Sequence, residues 1–331
     1  MENAVKSRLQ SVQLGKPQAY KNIAIVPLIA PADGTFQYRT LGEALAAEDL
    51  VITEISANGS VPELLVINRG NKPVLLIDGE EPAGAKQNRV LNTSILLKEA
   101  SESKIPVSCT EQGRWSYSSK AFSESGNVMN YRTRSMKTQS VNCSLAASGA
   151  YHSDQGEVWD GIAKLQAKAC AQSPTSAMND VYKAREDDLH RCDEIFKPVP
   201  SQIGLLAIID GRPAGMDMVS LTVAHAKIHA KLVRSYALEC LLESKQQRLT
   251  PEGIAAQARK LLEEITAAEE RQFPSIGHGI DHRFKSKVLA GAALIHGDEV
   301  IHAAFFQFES PGRADTNHMA SLRNRRRYYR E

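Results

Sequence analysis

The sequence predicts an α+β protein, with a β-rich first half, sandwich or barrel-like, packed against a mixed helical and strand second half. Three observations carry this. Short apolar runs punctuated by Gly, Pro and Asn recur from residue 21 to 109, the pattern of a sandwich or barrel. No long helical period occurs before residue 120. After residue 150 helical periods and apolar strands follow one another without a regular βαβ alternation. The chain accordingly divides into a β-rich unit 1–150, a mixed unit 151–310 whose closing hairpin is placed to share the first unit's sheet, and a tail 311–331.

The elements follow in order. Residues 21–28 (KNIAIVPL) form an apolar strand. Residues 38–45 lead into 51–56 (VITEIS), which alternates apolar and polar. Residues 64–68 (LLVIN) and 73–77 (PVLLI) read as a hairpin turning at Arg69-Gly70-Asn71-Lys72. Residues 90–97 and 105–109 continue the series. The polar stretch 116–153 reads as a long loop or an irregular helix around 141–145. Asp154 is an N-cap for a helix over 157–171, where Val158, Ile162 and Leu165 recur at i, i+4 and i+7. A second helix spans 177–196. Residues 202–209 (QIGLLAII) form a buried strand turned by Asp210-Gly211-Arg212-Pro213. Helices follow at 223–244 and at 251–271, the latter with Thr250 as N-cap and Pro251 at its first position. Residues 287–295 and 299–306 close the chain as a hairpin around His296-Gly297-Asp298.

Composition narrows the function classes. The chain of 331 residues is 42% hydrophobic, enough for a real core, and its formal charge is +2, far from the strongly basic balance of a protein that binds nucleic acid by bulk charge. No run approaches the length a membrane span needs. The start, MENAVKSRLQ, has no apolar leader segment. Cys109, Cys143, Cys170, Cys192 and Cys240 are odd in number and scattered, with no CxxC pair. The expectation is a cytoplasmic protein with reduced thiols. Six Arg between 313 and 331, against Asp315 and Glu331, give that segment a local +4, so the rest of the chain carries −2. It reads as a solvated, disordered arm, with a phosphate or acidic-partner role as the alternative.

One internal echo recurs. VLLIDGEEPAGA (74–85) and LLAIIDGRPAGM (205–216) share a strand, an IDG turn and PAG. Two hairpins with the same turn chemistry explain it most simply. A diverged duplication would instead bring Asp78, Glu80 and Glu81 to face Asp210 and Arg212.

Residues able to carry chemistry concentrate between 78 and 115. Asp78, Glu80, Glu81, Lys86, Gln87, Asn88 and Arg89 are followed by Cys109, Glu111, Gln112, Arg114 and Trp115. Adjacent carboxylates at Glu80 and Glu81 can tune each other's pKa for acid–base work or bind a divalent cation. Lys86, Arg89 and Arg114 suit a phosphate, and Trp115 can stack on a base or sugar. Cys109 beside cations is a candidate nucleophile. Against this stand ordinary alternatives: a charged turn with surface ion pairs, and an inert core thiol. His225 and His229 lie one turn apart on a helix without the Glu of HExxH, and read as a solvated or partner-facing pair. His278 and His282 fall in a loop, GHGIDHR. Neither a dinucleotide fingerprint, nor a P-loop, nor a GxSxG elbow is present.

The segments GSVPELLVINRG (59–70), LLIDGEEPAGAKQNRVLNTS (75–94), IPVSCTEQGRW (105–115), SDQGEVWDGIAKLQ (153–166), SPTSAMNDVY (173–182), LLAIIDGRPAGMDM (205–218) and KLVRSYALECL (231–241) resemble the ADP-ribosylglycohydrolase- and rhodanese-phosphatase-associated protein family. The resemblance covers roughly residues 20–308. It implies that the paired acids Glu80 and Glu81, the stretch 85–89 and the box 109–115 belong to a family pattern. Pro82 stands where the family commonly has an apolar residue. The family's association with enzymes of ADP-ribose and phosphate metabolism implies a hydrolase acting on an ADP-ribose- or NAD-derived nucleotide. A non-catalytic nucleotide-sensing module, or one docking partner proteins of that metabolism, is the alternative. Nucleic-acid binding through the Arg-rich tail is the weaker one.

Overall fold

The computed structural model describes residues 4–56, 59–242 and 250–308. Its largest element is a nine-stranded antiparallel sheet. In spatial order it runs Gln13–Leu14, Ile23–Ile29, Gln202–Ile209, Arg212–Val219, Glu299–Gln307, Leu289–His296, Ile280–Lys285 and Glu269–Pro274, with Gln18–Tyr20 also paired to Ile23–Ile29. A strand from the first 30 residues thus lies inside a sheet built mostly from residues beyond 200, and a boundary at 150 cuts across it.

Side chains alternate across this sheet. Ala24, Val26, Leu206, Ile208, Met216 and Met218 pack beneath the helices Ala4–Ser11 and Pro251–Thr266. Ile23, Ile25, Leu205, Ala207 and Ile209 pack against the helix Thr222–Leu242. Both faces being covered explains why 202–209 reads as a continuous apolar run.

The remaining strands form a smaller β-unit. Leu50–Glu54, Glu63–Asn68, Ser101–Cys109 and Arg89–Leu91 make one sheet; Ile95–Leu97, Val74–Leu76 and Arg39–Thr40 make another; Phe122–Val128 pairs with Glu80–Gly84. Its core gathers Leu41, Ile52, Leu64, Val66, Leu76, Leu91 and Ile105.

Several expectations change. The strands flanking 69–72 do not pair with each other: Glu63–Asn68 pairs with Leu50–Glu54 and Ser101–Cys109, and Val74–Leu76 with Ile95–Leu97. Asn68 closes that loop itself, accepting from Gly70 N at 3.0 Å and donating to Lys72 O and Lys98 O. Thr40 and Glu43 form a capping box, so 41–46 is a helix. Within the stretch expected to be irregular lies the 18-residue helix Tyr131–Ser148. It buries Thr133, Arg134, Ser135, Lys137 and Thr138, so no apolar period betrays it. The helix expected over 177–196 breaks at Arg185 into Met178–Ala184 and Glu186–Ile195. The GHGIDHR loop is instead a strand from Ile280, and the last helix stops at Thr266 so that Glu269–Pro274 can pair with that strand. Of the echoed segments, only the second is a hairpin: Asp210 and Gly211 both adopt positive φ (49° and 73°), the backbone of a tight antiparallel turn. The first passes between two sheets. The Arg-rich tail, and with it the nucleic-acid alternative, lies outside the described residues.

Candidate functional site

The turn at 77–80 decides where the acids go. Glu80 N bonds Ile77 O at 3.2 Å, with Gly79 at φ 84° in the position that demands a left-handed residue. A Cβ on Gly79 would stand 2.8 Å from Cδ and Nε of Arg134, so only glycine lets that guanidinium approach. From this turn Asp78, Glu80 and Glu81 diverge to three separate environments.

Asp78 enters a buried ionic network at the junction of the β-unit and the large sheet. It accepts from Arg134 Nε at 3.0 Å and from Lys137 Nζ. Arg134 reaches on to grip Asp217 with both terminal nitrogens at 3.1 and 2.6 Å, and Tyr236 donates to the same carboxylate at 2.7 Å. His302 lies 3.7 Å from Asp217 and bonds Ser94 Oγ at 2.7 Å; that hydroxyl also accepts from Asp78 N. Beside it Arg283 pairs with Asp281 at 2.6 Å, and both contact Thr93. Burial pushes Asp78 and Asp217 up, but the neighbouring cations, Lys137 and Arg134 at Asp78 and Arg134 at Asp217, outweigh it and hold both carboxyls below their ordinary range. Three buried acids here meet three buried cations.

Glu80 points elsewhere, to Lys231, which also bonds Glu124 at 2.7 Å, and accepts from Ile77 N at 2.8 Å. Glu81 is buried with no cation bonded to it among the described residues. Thr110 donates to it at 2.7 Å, and burial, together with the negative charges of Glu111 and Asp180, pushes its carboxyl up to about 7. Glu80 and Glu81 therefore do not act as a pair: successive strand residues face opposite ways.

The other sequence-flagged residues interlock into a second assembly, 84–89 against 109–118. Arg89 and Cys109 sit opposite each other on paired strands. Gln87 donates to Glu111 O at 3.0 Å and accepts from Arg89 at 2.8 Å; Asn88 N bonds Glu111 at 3.1 Å. Arg114 holds Glu111 at 2.8 and 2.5 Å and donates as well to Ala85 O, Ser116 O and Ser118. It is thus a clamp that fixes the loop carrying Trp115. Cys109 Sγ donates to Glu111 O at 3.3 Å, and burial pushes the thiol up, against what a nucleophile needs.

Above this assembly stand two exposed rings, Trp115 (48%) and Tyr117 (52%). The Lys86 ammonium lies 5.2 Å from each ring centroid, and the Arg89 guanidinium lies 5.7 Å from Trp115. Arg89 is fully buried, yet its Nε and Nη2 have no hydrogen-bond partner among the described residues. Its nearest carboxylate, Glu54, is 3.9 Å away, and Glu54 Oε2 is likewise buried and unpartnered. An open depression of about 490 Å³, lined by residues 117–120, begins at this rim.

Gln112 is exposed. Asp210 bonds Asn22 at the far hairpin tip and Arg212 is exposed, so the structure does not gather them with the 78–115 residues. His225 and His229 are not solvated. Their rings bond each other at 3.0 Å, His229 bonds Phe196 O at 2.7 Å, and burial pushes His225 down to about 3. His278 pairs with Glu99 at 3.2 Å. Among the described residues no group of three or more His, Cys, Asp or Glu is placed to hold a metal ion, and no helix is long and apolar enough to cross a membrane.

Sequence reasoning missed Glu54, Tyr117, Arg134, Lys137, Asp217 and Lys231. Two signals were available: Asp217 is a lone acid in an apolar strand (MDMV), and Arg134 and Lys137 share one helix face at i, i+3.

The fold and its two polar assemblies define an α+β protein in which the motifs that carry the resemblance, 85–89 and 109–115, are built against each other. The chain belongs to the ARPP-1 family, the ARG and Rhodanese-Phosphatase-superfamily-associated Protein domain, whose profile matches residues 11–306. No curated protein and no solved structure matches it.

Proposed function

We propose that this chain is a binding module for a nucleotide or a closely related phosphorylated ligand, with Trp115 as the stacking surface and Lys86 and Arg89 as the anion contacts. The observation that carries the reading is Arg89: a fully buried guanidinium, beneath an exposed indole, whose Nε and Nη2 have no hydrogen-bond partner among the described residues. Such donors are costly to leave unmade, and a phosphate oxygen suits the guanidinium fork. Exposed aromatic rings over a cationic floor match the stacking and charge chemistry of nucleotides.

Hydrolysis of an ADP-ribose- or NAD-derived compound is the second reading. Glu81 favours it, because a carboxyl with a pKa of about 7 can act as acid or base near neutrality. Asp78 and Glu80 weigh against it, since both are committed to buried cations.

The test is calorimetric titration of wild type and Lys86→Met with ADP, ADP-ribose and NAD. Wild type should bind at least one of them, and the variant about tenfold or more weaker, the scale of a charge-assisted contact. Equal affinity in both proteins would remove Lys86 from the site. No binding of any of the three would reject the nucleotide reading, and product release on incubation would move the assignment to the hydrolase.

A further inference from the structure

Resting on that reading, we infer that Glu54 is the specificity-determining residue of the site and that it selects a ligand with a hydroxyl adjacent to its anionic group, a phosphorylated sugar rather than a bare phosphate or pyrophosphate. Glu54 ends the strand Leu50–Glu54. Its Oε1 accepts from Lys86 N at 3.3 Å, which fixes the carboxylate's position. Its Oε2 is buried and has no hydrogen-bond partner among the described residues, while Arg89 across from it has two nitrogens, Nε and Nη2, likewise without one, with 3.9 Å between Glu54 Oε1 and Arg89 Nη2. The two groups therefore stop short of a direct hydrogen bond. Together they present donors for an acceptor-rich anion and, beside them, one acceptor for a donor.

A bare phosphate satisfies only half of this set and would bring its negative charge close to the Glu54 carboxylate. A sugar phosphate satisfies both halves: its phosphate meets Arg89 and Lys86, and a hydroxyl donates to Glu54. The local charge agrees. Lys86 and Arg89 outnumber Glu54, because Arg114 is already neutralised by Glu111 at 2.5 Å, so a net anion is still favoured. Gly59 borders the same spot at φ 76°, where an added Cβ would lie 3.2 Å from Lys86, 3.3 Å from Trp115 and 3.4 Å from Glu54 Oε2. Glycine there lets the backbone close against Lys86, Trp115 and the carboxylate, where a side chain would crowd all three. Recognition of ribose hydroxyls by a carboxylate is common physical chemistry in nucleotide sites, and leaving a buried acceptor unpaired is how a polar site rejects an analogue that lacks the hydroxyl.

The experiment titrates wild type and Glu54→Met with ADP, 2′,3′-dideoxy-ADP and inorganic pyrophosphate by calorimetry. Wild type should prefer ADP to the dideoxy compound by about tenfold or more. Glu54→Met, which removes both the acceptor and the charge, should lose most of that preference while binding pyrophosphate at least as well as wild type. Equal wild-type affinity for ADP and dideoxy-ADP would overturn the role of Glu54 and leave the anion site standing. That comparison needs no variant to fold. If wild type binds none of the three probes, the binding reading itself fails and the inference falls with it.

Discussion

Two buried polar regions lie within one small β-unit's reach, and they handle charge in opposite ways. At the sheet junction Asp78, Asp217 and Asp281 are matched by Arg134, Lys137 and Arg283 through bonds that also engage Tyr236, Ser94 and Thr93. Around Arg89 its Nε and Nη2, and Oε2 of Glu54, have no hydrogen-bond partner among the described residues, and the exposed Trp115 ring stands against the guanidinium. Burying ionised groups is costly in both places. Where each charge is answered internally, the arrangement holds elements together: here it joins the turn 77–80, the helix Tyr131–Ser148, the large sheet and the helix Thr222–Leu242. Where charges are answered only in part, the proposed ligand would recover the same cost. On the binding reading, the difference teaches that density of charged residues along the sequence does not mark a site; incomplete pairing beneath exposed rings does.

The comparison breaks first at Arg134. Arg134→Met removes the cation shared by Asp78 and Asp217 and leaves both buried carboxylates under-compensated, a loss of about 3–5 kcal/mol. Urea unfolding at neutral pH measures it, and a loss below about 1 kcal/mol would mean that the network is not structural. Its pH dependence has a definite sign. Both carboxyls are held below their ordinary range, so their contribution is present above the unfolded value near about 4 and is lost as pH falls through that value toward their folded ones.

Glu81 should show the reverse slope. Its folded pKa is raised from 4.5 to about 7, so the folded state keeps a proton that the unfolded chain releases. Stability is then greatest below the unfolded value and declines as pH rises from about 4.5 to 7, by at most roughly 3 kcal/mol. Glu81→Gln keeps an acceptor for Thr110 and removes the titration. Unfolding curves across this window should flatten in the variant, which should be the more stable protein at about pH 8. A wild-type slope that survives the substitution assigns the titration to another group.

Much of this was legible in the sequence, for reasons that also explain what was not. Strands buried on both faces, such as 202–209 and 299–306, announce themselves as near-continuous apolar runs. So does the helix capped by Asp154, whose side chain accepts from Gly156 N and Glu157 N. The motifs 85–89 and 109–115 were legible as a dense polar region, and the structure does build them together. The pairing of the closing hairpin was legible, but that of the strands flanking 69–72 was not: Asn68 turns its chain away from the strand that follows, a tertiary outcome that local turn chemistry resembles only in part. The helix Tyr131–Ser148 was hidden because its buried face holds Arg134 and Lys137, whose burial is affordable only with Asp78 and Asp217 brought from 56 and 83 residues away. The role of each acid was hidden for the same reason. Adjacent in sequence, Glu80 and Glu81 part at a strand, one to Lys231 and the other to Thr110.

The smallest effect on stability should come from the residue on which the binding reading leans most. Trp115 is half exposed, and its ring meets the cations Lys86 and Arg89 from outside. Trp115→Ala removes two surface cation–π contacts and opens no core cavity, so stability should fall by about 1 kcal/mol or less. Ligand affinity should respond differently, because a stacked base contributes about 1–3 kcal/mol, which is roughly 5- to 150-fold in affinity. Arg134→Met and Trp115→Ala therefore form a crossed pair: the first acts on folding far more than on any ligand contact, the second on binding far more than on folding. Unfolding and calorimetry on the two variants measure both axes. If Trp115→Ala destabilises the fold by several kcal/mol and leaves affinity for ADP unchanged, the exposed rings serve to cover Arg89, and the contrast between the two regions reduces to two ways of packing charge.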